Sequence, residues 1–582
     1  MKKQKGSSRN GVPEKTMSAE MKRRDSKRES SIVAKHAFLL SEGFLLGIVI
    51  VSVVTLRSII FYFTTADPYL QFRVGDELHY HEWALRILGG QWARGTSFFT
   101  TPLYAYFLAL TYWLCGDGII TIRLLNVLVG IGAVILTYLT ARCFLDHYAS
   151  SIAAGLFGLC TSVIFYEWFP EKTSLVLFLT SLSFYLIAQA IGKRRLTYWL
   201  LAGFSVGVAS LGHMLLFVIL PAVWIHIAFN YEKAKAAALK AILIFTGGVL
   251  LGVSPATVHN WLQDGDFVLV ASNGGQNFYV GNHTGNFTGE YISPPFSVAN
   301  IDNEEANFKH EAERRSQRSM KPSEVSRFWF QQGWREIKQE PGLALKRFWN
   351  RLRWAAGAEE PSDTRTFELY QTRYRILGFP FWGYGLVACL GLAGLVFCLS
   401  DRAYLVLSCT VLFFIIGISL FFVYGRYRLP LLIPLSIFAA VALQKAYRFT
   451  AQHNYRVLAA LCITTGIFAL LVHGRVLPDL QVSFFPDYYN QGNKYWNLGK
   501  YDLAIAEYEK ALTVRPADHP GVSPLFAKLI HIYLSNGQAA RAEALVQNMI
   551  PQFPTDQSLQ ETLVKIKRMR LDPTFSPRTK NQ

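Results

Sequence analysis

Two adjacent carboxylates and two histidines lie directly after the first long apolar run of the chain. They are Asp76, Glu77, His79 and His81, in the segment "RVGDELHYHEWALRILGGQW". Carboxylates at such a position can take a proton from a reacting hydroxyl or contribute to a metal site. A single metal centre is disfavoured, because two histidines two residues apart diverge by about 200° around a helix. Alternatively, Asp76 caps a helix and the acids only stabilise its first turn.

A second set of charged residues falls at the ends of other apolar runs. Glu167 and Glu171 flank Pro170 in "EWFPEK", and Arg426 and Arg428 precede a proline in "YGRYRLP". A carboxylate can accept the proton of an attacking hydroxyl, and guanidinium groups can hold a departing phosphate. Together these residue types predict a group-transfer site, provided that the fold brings them to one face of a membrane.

The elements that must position these residues are membrane helices. The chain has 582 residues, of which 51% are hydrophobic, so it is too apolar for an ordinary soluble protein and too long for one domain. The seven cysteines lie in or beside apolar runs without a CxxC pair, which argues against a disulfide framework or a zinc–thiolate site. Eleven apolar runs have the length that a transmembrane helix needs. They lie near residues 38–63, 120–141, 150–166, 172–191, 196–212, 213–229, 238–258, 377–398, 402–424, 429–447 and 456–475.

The basic segments predict the orientation of these helices. The net charge of +18 comes in large part from a Ser-rich basic tail, residues 1–35, and does not indicate nucleic-acid binding. The positive-inside rule places this tail in the cytoplasm. The run Pro102–Cys115 is short for a crossing, so we interpret it as re-entrant. Eleven spans then place the C-terminus outside, on the same side as an acidic first external loop, 64–101.

The predicted organisation continues with four regions. An N-terminal membrane domain, 36–258, is followed by an external loop domain of mixed character, 259–376, and by the C-terminal spans, 377–475. The external domain opens with a Gly/Asn-rich stretch that is typical of turns. Its aromatic residues could stack on sugar rings, or the stretch is only an irregular loop, and we take Asn273 and Asn277 as candidate substrate-binding residues. Residues 486–572 follow tetratricopeptide spacing and predict an α-helical repeat module for binding a protein or a substrate.

Several of these segments resemble those of a known protein family. The stretch "GDELHYHEWA" is similar to the D-E-x-x-Y motif of the GT-C superfamily, whose members are glycosyltransferases that use lipid-linked sugars. The segments "TTPLYAYFLALTYWLCGDGIITIRLLN" and "RYRLPLLIP" are also similar, above all to the protein O-mannosyltransferases and the aminoarabinose transferases. The resemblance spans roughly residues 38–475. It implies an all-α polytopic membrane enzyme, with about eleven spans and one re-entrant segment.

The resemblance also implies a reaction and a site. A sugar would pass from a polyprenyl-phosphate donor to an acceptor hydroxyl on the extracytoplasmic face, with inversion at the anomeric carbon. Asp76 matches the catalytic aspartate and Glu77 its acidic neighbour, while Glu171 aligns with an acid of the second loop. Arg426 and Arg428 fall where the donor phosphate would be held.

The predicted substrate contacts and partners complete this interpretation. Tyr80 and Glu167 are added to Asn273 and Asn277 as substrate-binding candidates. The acceptor is a glycan, a lipid or a protein, and the repeats offer a surface for a protein partner. Localisation in the plasma membrane of a bacterium, the inner membrane, fits this chemistry. The residues leave open whether a divalent metal assists the phosphate, which sugar is moved, and what His79 and His81 do.

Three alternative functions share parts of this sequence pattern. A lipid-linked glycan ligase or polymerase would use the same leaving group with a different acceptor. A transporter or flippase would carry ionisable residues near the middle of its spans and would show paired halves, whereas the charges here cluster at span ends. A non-catalytic scaffold that displays the repeats would tolerate the loss of Asp76.

Overall fold

The computed structural model describes residues 42–93, 95–231, 234–297, 301–375, 383–476, 483–514, 522–551 and 557–571. The basic tail predicted at residues 1–35 lies outside these ranges. Throughout the described residues the regular structure is helical, with no β-strand. The prediction of an all-α fold is therefore confirmed.

Helices of the N-terminal half follow the predicted apolar runs closely. Helix α1, Glu42–Thr64, has 23 residues and is about 34 Å long, enough to cross the roughly 30 Å hydrocarbon core of a bilayer. The helices that follow are α2 Asp76–Leu88, α3 Leu103–Cys115, α4 Ile119–Ala141, α5 His147–Gly158, α6 Thr161–Tyr166, α7 Thr173–Lys193, α8 Leu196–Ser210, α9 Ile219–Asn230 and α10 Lys235–Asp264.

Seven helices in the described residues are long and apolar enough to cross a membrane. Shorter apolar helices at Leu103–Cys115, Leu196–Ser210, Met214–Asn230 and Tyr384–Val396 accompany them. The predicted run 150–166 is divided into α5 and α6 at residues 159–160. The chain is thus an integral membrane protein, while the count of eleven spans and the re-entrant placement of α3 remain predictions.

The region predicted as an external loop domain is built from helices. They are α11 Gly274–Asn282, α12 Ile301–Ser316, α13 Pro322–Gln339, α14 Pro341–Ala356 and α15 Phe367–Arg373. The expectation of turns in the Gly/Asn-rich stretch, 272–291, is wrong for its first half, which forms α11, whereas turns and bends follow over residues 283–290. Its glycines serve close packing: a Cβ on Gly275 would lie 1.7 Å from the carbonyl oxygen of Ser326 on α13. Tertiary packing therefore overrides the local turn preference.

The remaining helices complete the membrane part and the repeat module. The membrane part ends with α16 Tyr384–Val396, α17 Leu405–Ser419, α18 Gly425–Arg428, α19 Leu432–Ala451 and α20 Tyr455–His473. The repeat module contains α21 Phe485–Asn497, α22 Tyr501–Thr513, α23 Val522–Ser535, α24 Ala539–Met549 and α25 Gln557–Leu571.

The repeat module has its own core and also packs on the connection between α1 and α2. Phe72 contacts Tyr495 edge to face, with ring centroids 6.0 Å apart, and the Tyr69 hydroxyl donates a hydrogen bond to Glu507. The backbone N–H of Thr366 donates to Asp487 over 3.3 Å. Because these contacts involve the segments that carry Asp76 and Asp363, the module is part of the scaffold around the acidic residues.

Candidate active site

Helix α2 begins at Asp76, and Gly75 occupies the cap position. Gly75 has φ +52°, a conformation that glycine adopts without strain, and a Cβ there would lie 3.0 Å from Thr364 Oγ1. The Asp76 carboxylate makes no capping hydrogen bond to this helix. The capping interpretation of Asp76 is therefore wrong, and its carboxylate is available to other groups.

Arg426 joins three carboxylates that are far apart in the sequence. Its Nη2 donates to Asp76 Oδ2 over 2.6 Å, and its Nη1 donates to Glu171 Oε2 over 2.8 Å. Its Nε forms an ion pair with Asp363 Oδ2 at 2.5 Å. The three carboxylates and Arg426 are called the acid cluster below. Of the residues predicted at the site, the cluster contains Asp76, Glu171 and Arg426.

Burial and neighbouring charges shift the pKa values of the carboxyl groups in the acid cluster in different directions. Burial alone would raise the pKa of Asp76, but Arg426 and Lys172 outweigh burial and hold this pKa below its usual range. Burial raises the pKa of Asp363, to which Asp76 adds, against the opposing effect of Arg426. Burial also raises the pKa of Glu171 to about 7, with Arg426 opposing and Asp363 adding to the rise. Asp76 is therefore the member that stays ionised most readily.

Asp76 is also the most accessible carboxylate of the cluster. Its side chain is 24% exposed, against 8% for Glu171 and 11% for Asp363. An ionised and partly exposed carboxylate can accept a proton from a substrate hydroxyl. The two more enclosed acids hold the guanidinium in place.

A small cavity, with room for about one water molecule, adjoins the acid cluster. Its polar lining comes from Lys172, His213 and Arg426, and its apolar lining includes Val176 and Leu177. The Nζ of Lys172 donates to Thr101 Oγ1 over 3.0 Å, and within the described residues Lys172 forms no ion pair. A cationic end with apolar walls suits a ligand that carries a phosphate on a hydrocarbon chain.

Aromatic residues line the approach to Asp76 from the other side. Tyr291 stacks on Tyr424 with centroids 5.9 Å apart, and Arg426 lies 5.9 Å from the Tyr424 ring. The Tyr291 hydroxyl donates to Glu304 Oε1 over 3.1 Å. Burial raises the pKa of Glu304 to about 7, and Asp76 adds to the rise. Tyr291 and Tyr424 thus form an aromatic wall beside the acid cluster.

Reasoning from the sequence missed four of these residues. They are Lys172, His213, Glu304 and Asp363. Signals existed for two of them, since Lys172 directly follows Glu171 in "EWFPEK" and His213 separates two apolar runs. Asp363 and Glu304 lie in polar stretches with many charges, where position in the sequence does not single them out.

Two residues predicted at the site have supporting roles instead. Glu77 accepts hydrogen bonds from Arg365 Nε and Nη2, both at 3.2 Å, and is buried. The Tyr80 hydroxyl donates to the carbonyl oxygen of Thr101 over 3.1 Å, and Lys172 lies 5.8 Å from its ring. Glu77 therefore anchors the start of α2, and Tyr80 supports the segment that holds Lys172.

Arg428 lies away from the acid cluster, although only two residues from Arg426. It is fully buried, and its Nη1 donates to the carbonyl oxygens of Trp354 and Gly357 over 2.5 and 2.6 Å. Its Nη2 lies 3.1 Å from Glu360 Oε2. Since these partners saturate both terminal nitrogens, we no longer assign Arg428 to the donor phosphate.

Glu167 is likewise enclosed by protein. Its two carboxylate oxygens accept from Arg57 Nη2 and Nε, each over 2.8 Å, and both residues are buried. A carboxylate held on both oxygens has little capacity left for a sugar hydroxyl. The geometry therefore makes Glu167 a structural partner of α1, and its assignment to substrate is not retained.

The remaining candidates make contacts outside the cluster. The backbone N–H of Asn273 donates to the Phe99 carbonyl over 3.3 Å, and Asn277 donates to the Asn273 carbonyl within the start of α11. His81 Nδ1 lies 2.9 Å from the Tyr112 hydroxyl, whereas the His79 ring packs edge to face on Trp83. The two histidines face different neighbours, as expected from their spacing.

The described residues contain no group of three or more His, Cys, Asp or Glu side chains arranged to hold a metal ion. In the acid cluster the guanidinium of Arg426 already lies between the three carboxylates, where a bound cation would otherwise be placed. The donor set therefore does not fit a divalent metal.

Comparison with protein families gives two matches. Residues 100–259 match the family described as dolichyl-phosphate-mannose-protein mannosyltransferase, and residues 487–518 match the tetratricopeptide repeat. The first match contains Glu171 and Lys172 but neither Asp76 nor Arg426. These matches confirm the resemblance inferred from the sequence and the repeat module. A search of curated proteins finds no match.

Solved structures of similar fold include two chains of the Archaeoglobus fulgidus oligosaccharyltransferase. One, in complex with Zn and sulfate, is 14% identical, with 81% of this chain and 57% of that chain covered and a TM-score of 0.42. The other, the archaeal oligosaccharyltransferase AglB with an inhibitory peptide and a dolichol-phosphate, is 14% identical, with 82% and 60% covered and a TM-score of 0.41. This chain thus spans less than two thirds of the length of either.

A third structure of similar fold is ArnT from Cupriavidus metallidurans bound to undecaprenyl phosphate. It is 15% identical to this chain, with 86% of this chain and 80% of that chain covered and a TM-score of 0.42.

Proposed function

We propose that the chain transfers a sugar from a polyprenyl-phosphate carrier to an acceptor hydroxyl on the extracytoplasmic face of the membrane. The observation that carries this proposal is the placement of Arg426, which joins Asp76, Glu171 and Asp363 beside a cationic cavity with apolar walls. The family matched by residues 100–259 is named after a lipid-phosphate-linked sugar donor, which fits this arrangement.

The donor binds with its phosphate at the cationic end of the cavity. Lys172 is the principal phosphate ligand, because it is a cation without an ion pair within the described residues, and Arg426 lies at the same end. Val176 and Leu177 accommodate the first part of the polyprenyl chain. In this proposal the anomeric carbon lies between the phosphate and the acid cluster, whose most exposed carboxylate is Asp76.

Asp76 acts as the general base of an inverting transfer. The oxygen of the acceptor hydroxyl attacks the anomeric carbon from the side opposite the phosphate, and its proton passes to the Asp76 carboxylate. As the new C–O bond forms, the bond to the phosphate oxygen breaks, and its electron pair stays with the phosphate. The leaving group is already an anion stabilised by Lys172 and Arg426, so it needs no proton from a general acid.

The other charged residues position these groups. Glu171 and Asp363 hold Arg426 from two sides, and Arg365 fixes Glu77 directly beside Asp76. A base must lie within hydrogen-bond reach of the proton it accepts, so these contacts preorganise the reaction.

The acceptor and its delivery complete the proposal. The acceptor is a hydroxyl of a glycan, lipid or protein, and the repeat module binds it or a protein partner close to the aromatic wall of Tyr291 and Tyr424. The chain is located in a bacterial plasma membrane, the inner membrane, with a cytoplasmic N-terminus and an extracytoplasmic C-terminus. Nucleic acid is not a partner.

A genetic and chemical experiment tests this function. Cell-envelope glycans and glycoproteins from a deletion strain are compared by mass spectrometry with those from strains that express the wild type or Asp76→Asn. We expect one sugar to be missing in the deletion strain, restored by the wild type and absent with the variant. Full restoration by Asp76→Asn would refute the role of the base, and an unchanged envelope in the deletion strain would refute the transfer itself.

A further inference from the structure

Four consecutive residues between α14 and α15 connect the acid cluster to the repeat module. Residues 363–366, called the linking segment below, form a bend that is neither helix nor strand. Asp363 Oδ2 pairs with Arg426 Nε at 2.5 Å. Thr364 Oγ1 lies 3.0 Å from the position that a Cβ on Gly75 would take. The first half of the linking segment thus contacts the acid cluster and the residue that precedes α2.

The third residue of the linking segment, Arg365, holds the first turn of α2. Its guanidinium donates to both carboxylate oxygens of Glu77, over 3.2 Å each, and to the carbonyl oxygens of Tyr69 and Phe72 over 2.7 and 2.9 Å. Arg365 and Glu77 are both buried. A bidentate pair of this kind fixes direction as well as distance. Because Glu77 directly follows Asp76, this contact also constrains the backbone that carries Asp76.

The repeat module supplies the contact to the fourth residue. The backbone N–H of Thr366 donates to Oδ1 of Asp487, in the first turn of α21, over 3.3 Å. Both residues are buried. Burial raises the pKa of Asp487 to about 6, against the opposing effects of the hydrogen bond from Thr366 and the charge of Arg365. The Asp487 carboxylate therefore interacts with the same arginine that holds Glu77.

The linking segment depends on these distant contacts for its conformation. A bend has no regular series of backbone hydrogen bonds, so its N–H groups need partners elsewhere. Loss of the acceptor for Thr366 would free the backbone next to Arg365, and Arg365 is the residue that holds Glu77. A general base must lie within hydrogen-bond reach of its proton, and a displacement of about 1 Å can cost on the order of 100-fold in rate.

We propose that Asp487 is a positioning residue for the transfer reaction, supplied by the repeat module. It contacts neither donor nor acceptor, and it holds Asp76 in place through the linking segment and the pair of Arg365 with Glu77. The repeat module thus determines the turnover rate, in addition to offering a binding surface. This inference rests on the proposed function, from which it takes the role of Asp76 as the base.

Kinetics and hydrogen exchange of the full-length protein test this role. Asp487→Ala removes the acceptor of the Thr366 N–H, whereas Asp487→Asn keeps a carbonyl oxygen for it. Asp502→Ala, an exposed acid in the first turn of α22, is the matched control. Transfer is measured per folded molecule over a range of donor concentrations. Hydrogen exchange is followed by mass spectrometry on peptides that contain residues 73–80 and 363–366.

We expect Asp487→Ala to lower kcat about 10–100-fold. Donor KM should be unchanged, because residues of the membrane part line the donor cavity. Exchange should become faster in both peptides. Asp487→Asn should recover most of the rate and of the protection, and Asp502→Ala should behave as the wild type.

Two results would overturn the inference. A wild-type kcat in Asp487→Ala would refute the positioning role and leave the proposed function intact. Unchanged exchange of residues 73–80 in Asp487→Ala would show that the repeat module does not hold the start of α2. If the wild type itself transfers no sugar, the proposed function fails, whereas the exchange measurement still decides whether Asp487 holds this turn.

Discussion

Arg426 and Arg428 both lie on α18, but their side chains have different surroundings. Arg426 faces three carboxylates and a cavity, and its neighbours carry more negative charge than one guanidinium can compensate. Arg428, two residues later, is enclosed by the carbonyl oxygens of Trp354, Gly357 and Glu359 and by a single carboxylate. The first environment is electrostatically open to a ligand, whereas the second is closed.

The difference shows what makes an arginine functional. Burial and charge are common to both residues, so neither property separates a site from a structural support. The distinguishing features are unbalanced charge, a partly exposed partner such as Asp76, and an adjoining space. Perturbed carboxylates in a cleft are typical of catalytic centres, and the carboxylates around Arg426 form such a group.

The largest effect is expected for Asp76→Asn. Removal of the base should lower the rate by roughly 10²–10⁴-fold, because the neutral amide cannot accept the acceptor proton. Transfer is measured with purified protein, a polyprenyl-phosphate sugar and acceptor. Asp401→Asn, at an exposed turn before residues 402–404, is the control and should retain activity. Turnover of Asp76→Asn at the wild-type rate would contradict the assignment.

The variants Arg426→Lys and Arg428→Lys test directly whether the two arginines have different roles. Lysine keeps the charge but cannot span several acceptors. We expect Arg426→Lys to lose about 10–100-fold in kcat/KM per folded molecule, because one ammonium group cannot hold three carboxylates in place. Arg428→Lys should instead lose about 3 kcal/mol or more of stability, with near-normal activity per folded molecule. Kinetics and thermal unfolding on the same samples separate the two outcomes, and an exchange of the two phenotypes would invert our interpretation.

A smaller loss is expected for Lys172→Gln. Without the ammonium group the donor phosphate loses one charge-assisted contact, so donor KM should rise about tenfold. Lys193→Gln, at the opposite end of α7, serves as the control. Donor titrations measure the change, and an unaltered KM would remove Lys172 from the phosphate site.

The smallest effect is a dependence of stability on pH that originates at Glu171. Its pKa is raised to about 7 in the folded chain, above the ordinary value of 4.5. A carboxyl group shifted in this direction contributes stability that is complete below pH 4.5 and is lost as the pH rises to about 7. Relative to Glu171→Gln, the wild type should therefore lose free energy of unfolding across this window and remain level above it.

Denaturant unfolding at a series of pH values measures this difference. Glu324→Gln is the control, and its effect on stability should depend on pH in the opposite direction. Hydrogen bonds from the Lys321 backbone and Arg318 lower the pKa of Glu324, so this carboxyl group titrates below pH 4.5. Parallel pH curves for the wild type and Glu171→Gln would show that Glu171 does not titrate as described.

Local patterns in the sequence predicted the helices well and the site in part. Membrane helices follow from runs of apolar residues, which is a local property, so α1 and α4 were predicted nearly to their ends. Asp76, Glu171 and Arg426 were predicted because acids and arginines at span ends are unusual.

The failures arise where partners are distant in the sequence. Nothing near Arg428 or Glu167 indicates that carbonyl groups or Arg57 will enclose them. Asp363 acquires its significance only from the fold, which brings it to Arg426 across 63 positions. The Gly/Asn-rich stretch predicted turns throughout, whereas its first half forms α11, in which Gly275 packs closely against Ser326 of α13.

The docking of the repeat module on the connection between α1 and α2 sets the timing of the protein's maturation. Tyr69 and its partner Glu507 are 438 residues apart, and a ribosome that adds 5–20 residues per second needs about 20–90 s to make the chain between them. The segment that carries Asp76 is thus inserted at the membrane long before the surface that braces it exists. Completion of the last domain, and not insertion of the first spans, is the event that makes the catalytic loop rigid. If the proposed function holds, we expect a chain truncated before the repeat module to insert in the membrane without transferring the sugar.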